Sequence, residues 1–229
     1  MKHALIIGGS RGLGLGLVGE HLKRGWSVTT TSRSAAPELA AMAAANPGRL
    51  GIEPVDITRP GEVSALAGRL AGRSFDLLFL NAGIMTGRGQ ALVDVPDEDI
   101  ERIFMTNAVS PIRVADRLIG MVAPAATVAF MSSILGSVST NDDGRAELYR
   151  ASKAALNSLI LSFRARHRAA KPGLTVLAVH PGVVRTSMGG PSAPLDIETS
   201  VTGVTDVLER RAGTGEIAFV DYRNAIIPW

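Results

Sequence analysis

"LIIGGSRGLGLGLVGEHL" (residues 5–22) decides how the rest of the chain is read. A short apolar run ends in glycines and passes directly into a segment of helical period. Gly8, Gly12 and Gly14 form a Gly-x-x-x-Gly-x-Gly pattern at that junction. A pyrophosphate needs backbone amides at close range and a helix N-terminus aimed at it, and a Cβ obstructs both. The stretch also holds a Gly-x-Gly-x-x-Gly string at Gly14, Gly16 and Gly19. That string lies inside the helix rather than at its start, so it is read as close helix–sheet packing and not as the nucleotide site.

Outward from this junction, short apolar runs alternate with longer helical segments. The strand candidates are 4–9, 27–32, 50–56, 75–80, 126–133, 174–180 and 216–220; helices are expected near 13–24, 36–45, 60–71, 97–121, 147–169 and 198–211. Strands apolar on both sides and separated by helices mean a parallel sheet covered on both faces. The expected fold is a single doubly wound domain over residues 1–229, with a seven-stranded parallel sheet. Ligands of such sheets sit at the carboxyl ends of the strands, so unusual residues should cluster there. They do.

Composition narrows the function. The chain is 46% hydrophobic and 20% charged, which suits a globular protein with an ample core. It has no cysteine, which excludes disulfides and thiolate chemistry and fits a reducing compartment. "MKHALIIGGSRG" (1–12) lacks the pattern of a secretory signal. The longest apolar stretch, residues 121–131, is shorter than the roughly 20 residues of a membrane span. A cytoplasmic location is expected. Net charge is +3 with dispersed basic residues, which disfavours a nucleic-acid surface. His3, His21, His167 and His180 are scattered without metal-ligand spacing, so no metal is expected.

The second strand ends in Ser32 and Arg33, with no carboxylate to hold a ribose 2′-hydroxyl. With Arg11 in the glycine loop, this favours NADPH over NADH. "ELYRASKAALNSL" (147–159) sets Tyr149 and Lys153 one helical turn apart. Taken alone, the pair reads as a core-margin tyrosine beside a solvated lysine. An ammonium one turn away also lowers a phenol's pKa, and that suits acid–base chemistry.

The order of motifs resembles the short-chain dehydrogenase/reductase family nearly end to end. The glycine loop "GGSRGLG" is followed by "DIT" (56–58), "NAG" (81–83), "TNAVS" (106–110), "MSSILGS" (131–137), "YRASK" (149–153) and "HPGVVRT" (180–186). Residues 132–157, 180–195 and 219–229 are similar to the C-factor/sniffer-like carbonyl reductase subgroup. Ile7 departs from the family's threonine before the first glycine, removing a hydroxyl that helps tie the loop.

The resemblance implies cofactor contacts from Gly8, Ser10, Arg11, Gly12, Leu13 and Gly14, from Ser32 and Arg33, and from Asp56 and Ile57. Asn81, Ala82 and Gly83, Tyr149 and Lys153, and then Pro181, Gly182, Val184 and Thr186 complete the set. It makes Tyr149 the general acid for carbonyl reduction, with Lys153 lowering its pKa and binding the nicotinamide ribose. Ser133 donates to the substrate oxygen, with Ser132 as the alternative because one residue reverses a strand's face. Asn107 kinks its helix and holds a water that links Lys153 to solvent; read alone it is a capping or surface residue.

His180 lacks a carboxylate partner motif and is left aside. Met85, Leu135, Val138, Asn141 and Met188 are placed around the substrate, with residues 182–197 as a short lid. The expected activity is NADPH-dependent reduction of a ketone or aldehyde. The alternative is an NAD(P)-binding signalling or regulatory protein of the same fold. A homodimer or homotetramer is expected by analogy.

Overall fold

The computed structural model describes residues 1–87 and 89–229. It is a single Rossmann-like α/β domain. The strands are β1 (His3–Ile7), β2 (Ser27–Ser32), β3 (Leu50–Pro54), β4 (Phe75–Leu80), β5 (Val122–Met131), β6 (Thr175–His180) and β7 (Ile217–Asp221). The helices are α1 (Gly12–Lys23), α2 (Pro37–Ala45), α3 (Pro60–Arg69), α4 (Asp97–Phe104), α5 (Ser110–Leu118), α6 (Glu147–His167) and α7 (Ile197–Arg211). The sheet is parallel throughout, in the order β3-β2-β1-β4-β5-β6-β7.

Alternation along β1 shows why both faces are covered. Leu5 and Ile7 enter one core with Leu66 of α3, Ile112 of α5 and Phe163 of α6. Ala4 and Ile6 enter the other with Leu17 of α1, Leu39 of α2 and Val204 of α7. Strand order reverses between β2-β1 and β4, which opens a crevice beyond the carboxyl ends of β1 and β4.

Three expectations are corrected. β5 starts at Val122, not 126, because its register shifts between Phe75 and Leu77 on β4 and so accommodates Pro124. It ends at Met131, so Ser132 and Ser133 lie just past the strand. The helix expected over 97–121 is interrupted: residues Met105–Val109 form a π turn between α4 and α5, and Ile119–Met121 a closing 3-10 turn. The inner glycine Gly16 packs helix on helix rather than helix on sheet, since a Cβ there would stand 2.7 Å from Ile197 Cγ2 of α7. Among the described residues, no helix is long and apolar enough to cross a membrane.

Candidate active site

β1 stops at Ile7, and Gly8 takes φ of +92°, a conformation that favours glycine. A Cβ on Gly14 would collide with the Gly8 carbonyl oxygen and stand 2.6 Å from Asn81 Nδ2. Three hydrogen bonds fix this loop. Gly8 N donates to Thr31 Oγ1 at 2.9 Å, Gly9 N to Thr31 O at 3.0 Å, and Asn81 Nδ2 to Gly8 O at 2.8 Å. Thr31, on the neighbouring strand, therefore supplies a hydroxyl tie to the loop where Ile7 has none. Ile7 itself is fully buried in the core.

α1 begins at Gly12, with Arg11 extended at its cap and making no side-chain cap bond. Its first turn has no acidic residue. Amides of this turn and the positive end of the helix thus face the cleft, an arrangement suited to a dinucleotide's pyrophosphate. Steric need for glycine and the uncapped turn together fit the expected nucleotide.

The cleft, about 630 Å³, runs from this loop to Tyr149 and Lys153. Ser10, Arg11, Leu13, Ser32, Arg33, Asp56, Ile57, Ala82, Gly83 and Thr186 also line it, together with Gly8, Gly12, Gly14 and Asn81. Burial pushes the Asp56 carboxyl up, but bonds from Thr58 Oγ1 and N, and the charges of Arg33 and Arg59, outweigh it; Asp56 lies below the usual carboxylate range. Arg33 is thus close enough to Asp56 to be felt. A hollow of about 690 Å³ lies at the far end of α6 beside Arg164 and Gly215, remote from these groups.

Pro181, Gly182 and Val184 do not line the cleft. The Pro181 carbonyl accepts from Ser200 Oγ at 2.6 Å, Gly182 packs against Tyr222, and buried Val184 bridges to Leu195. They brace the 182–197 segment, which carries Thr186 and Met188 to the cleft.

At the other end, α6 presents Tyr149 and Lys153, both buried. Lys153 Nζ donates to Met131 O at 2.8 Å and lies 5.8 Å from the Tyr149 ring centroid. Burial pushes the phenol up to about 12, with contact from the Ser133 side chain pulling the other way. Burial also lowers Lys153 to about 8. Burial therefore sets the direction for Tyr149, upward, in place of the expected lowering; the group that pulls it down is Ser133, while the Lys153 ammonium directs a proton at the Met131 carbonyl.

The two serines are separated by geometry. Ser132 Oγ donates to Asn157 Oδ1 at 2.7 Å, while Ser133 stands against Tyr149 and accepts from Leu135 N at 3.2 Å. Asn107 sits fully buried in the π turn. Its Oδ1 accepts from Ile84 N at 2.8 Å, and its Nδ2 donates to Ile84 O at 2.8 Å and Ser152 Oγ at 3.1 Å. It clamps the segment following "NAG" to α6.

Met85, Leu135 and Met188 join Tyr149 in one apolar cluster with Val95, Ile103 and Leu148. Val138 is 71% exposed, and Asn141 is exposed with its Oδ1 accepting from Gly144 N. Those two stand apart from that cluster. His180 is half-buried, and loss of water around its ring holds it down to about 4, hence neutral.

Sequence reasoning missed Thr31, Thr106, Met131 and Glu38 on the cleft wall, and Asn157 behind it. Thr31 and Asn157 act through contacts between distant segments, which no local pattern signals.

Residues 2–194 match the family model described as short chain dehydrogenase. C-signal of Myxococcus xanthus is 38% identical over 156 residues, covering 67% of this chain and 92% of that protein. A Burkholderia multivorans chain assigned to the short-chain dehydrogenases/reductases, solved with bound NADP, is 45% identical with a TM-score of 0.96, covering 100% of this chain and 99% of that one. The carbonyl reductase Sniffer of D. melanogaster is 31% identical with a TM-score of 0.89 over 100% of both chains. These likenesses agree with the motifs, the sheet order and the glycine cleft: the chain is an oxidoreductase of the short-chain dehydrogenase/reductase family, on the C-factor/sniffer-like side of it.

Proposed function

We propose that this protein reduces a ketone or aldehyde with NADPH, Tyr149 acting as general acid. One arrangement carries the reading: buried Tyr149 and Lys153 line the end of the glycine-loop cleft, and the Ser133 side chain stands against the phenol. When bound, NADPH supplies a hydride to the carbonyl carbon. The protein's groups do the rest. Ser133 hydrogen-bonds the carbonyl oxygen and holds it against Tyr149. Tyr149 carries its proton at neutral pH, but burial holds the phenol up at about 12 and so disfavours the phenolate that donation leaves. The phenolate left behind is stabilised by the Lys153 ammonium beside its ring. The apolar cluster of Met85, Leu135 and Met188 suits a neutral, apolar substrate, and two flexible methionines accommodate varied shapes.

Lys153 sets a pH dependence. Burial disfavours its charged form, so the ammonium is present below about 8 and lost above it. Turnover is expected to be level below that point and to fall as pH rises through it. Lys153→Met should lower kcat and remove this limb; an unchanged limb would show that another group titrates.

Arg33 supports NADPH, since it lines the cleft at the end of β2 where a 2′-phosphate would lie. Arg33→Ala is expected to weaken NADPH binding by about 1–3 kcal/mol, the range for a charge-assisted hydrogen bond, with NADH barely affected. Equal losses for both nucleotides in a titration would end this assignment.

A second reading rests on the likeness to C-signal: an NAD(P)-binding signalling protein in which turnover is incidental. Binding of NADPH without reduction of any carbonyl in a broad panel favours it.

A further inference from the structure

Three residues of α6, spaced four apart, each meet a different point of residues 131–136, where β5 ends and the following turn begins. Tyr149 meets the Ser133 side chain, and Lys153 Nζ meets Met131 O. Asn157 makes two bonds: Oδ1 accepts from Ser132 Oγ at 2.7 Å, and Nδ2 donates to Gly136 O at 3.1 Å. Ser132, Asn157 and Gly136 are all buried, so neither bond is shared with solvent. Gly136 presses directly on α6, where a Cβ would stand 2.9 Å from Lys153 Cβ and 3.0 Å from its carbonyl carbon. Ser133 lies between the two points that Asn157 holds.

We propose that Asn157 is a positioning residue for Ser133: by holding Ser132 on one side and the Gly136 carbonyl on the other, it sets the turn that aims the Ser133 hydroxyl at the Tyr149 phenol. This rests on the reading of Tyr149 and Ser133 as the reacting groups. The side-chain amide suits the task because it accepts from a hydroxyl and donates to a carbonyl at once. Its bonds are buried, so leaving either partner unsatisfied is costly and the turn has little freedom while they persist. Asn157 does not itself line the cleft, and its side-chain bonds go to Ser132 and Gly136, so its effect on the phenol is routed through the turn that carries Ser133.

The test is a double-mutant cycle between Asn157→Leu and Ser133→Ala, with NADPH affinity measured alongside. Asn157→Leu is expected to lower kcat roughly 10- to 100-fold while leaving NADPH affinity within about twofold. Adding Ser133→Ala to it should cost less than about threefold more, because the serine is already misplaced. Asn157→Asp keeps the bond from Ser132 and loses the donor to Gly136, so its kcat should fall between. Full additivity of the two losses, or loss of NADPH binding with kcat intact, overturns the proposal.

Amide hydrogen exchange supplies a readout that needs no substrate. In Asn157→Leu, exchange over residues 134–137 should quicken by roughly tenfold or more, with β1 and α1 unchanged. Unchanged exchange there overturns the proposal. Should Asn157→Leu fold poorly, Ser132→Ala, which removes one hydroxyl, is expected to shift both readouts in the same direction by less. Failure of the reductase reading is distinguishable: wild type would then reduce no carbonyl, while the exchange result would still decide whether Asn157 sets this turn.

Discussion

Tyr149→Phe is expected to lower turnover by about 10²–10⁴-fold, the share that a positioned general acid supplies, and to leave NADPH affinity nearly unchanged. The substitution removes one oxygen from a ring that is otherwise buried among Leu148, Val95 and Ile103. Packing is kept, and the hydroxyl's contact is with the Ser133 side chain, so stability should change little. Steady-state kinetics with a single ketone, paired with a cofactor titration, separates the two effects. A variant that retains full kcat would mean that the proton comes from elsewhere, for which the described residues offer Ser133 and Lys153 as the next candidates.

The second large effect concerns the glycine loop. Gly14→Ala places a methyl against the Gly8 carbonyl and beside Asn81 Nδ2, the two atoms joined by the hydrogen bond that latches the loop. Backbone must shift, because neither neighbour is the free end of a flexible chain. Overpacking of this kind costs about 1–3 kcal/mol of stability. NADPH affinity should fall about 100-fold or more, because the amides that receive the pyrophosphate move with the loop. Gly19→Ala is the matched control. A Cβ there meets only Met42 Cε, at 3.5 Å. It should leave NADPH binding intact and stabilise α1 by about 0.5–1 kcal/mol, as alanine replaces glycine within a helix. Gly14 belongs to both strings, so in calorimetry and nucleotide titrations it is Gly19→Ala that decides between them: lost NADPH binding there would place the cofactor on the inner string.

The contrast between those two glycines shows what could be read from the chain. Position relative to strand and helix separated Gly8, Gly12 and Gly14 from the Gly14–Gly19 string, because that distinction is local. The seven strands were likewise legible as apolar runs between helices, which is how buried parallel strands present themselves. Pro124 hid the start of β5, since a proline normally argues against a strand and only the register shift beside Phe75 makes room for it. The π turn at Met105–Val109 was expected only as a kink at Asn107, and the side chain's partners, Ile84 and Ser152, lie far along the chain.

The electrostatics of the site were the least legible. Four-residue spacing places Lys153 on the face of Tyr149, and the structure agrees. Spacing does not say how deeply the pair is buried, and burial sets the sign of the shift: the phenol goes up to about 12 and the ammonium down to about 8. Thr31 illustrates the same limit. The missing hydroxyl at Ile7 was visible in the sequence, whereas the substitute hydroxyl stands 24 positions later on an adjacent strand, where only the parallel pairing of β1 with β2 brings it to Gly8. The motif order favours Ser133 over Ser132, but the partners of each, Tyr149 for Ser133 and Asn157 for Ser132, come only from the folded chain.

The measurement that bears most directly on the proposed activity is transfer of deuterium from NADPH labelled at the nicotinamide C4 to a panel of apolar ketones and aldehydes, read by mass spectrometry of the products. The account predicts alcohols carrying deuterium on the former carbonyl carbon with the wild-type protein, and almost none with Tyr149→Phe at saturating NADPH. Tight NADPH binding by the wild type with no labelled alcohol from any carbonyl, or equal labelling by Tyr149→Phe, would contradict it.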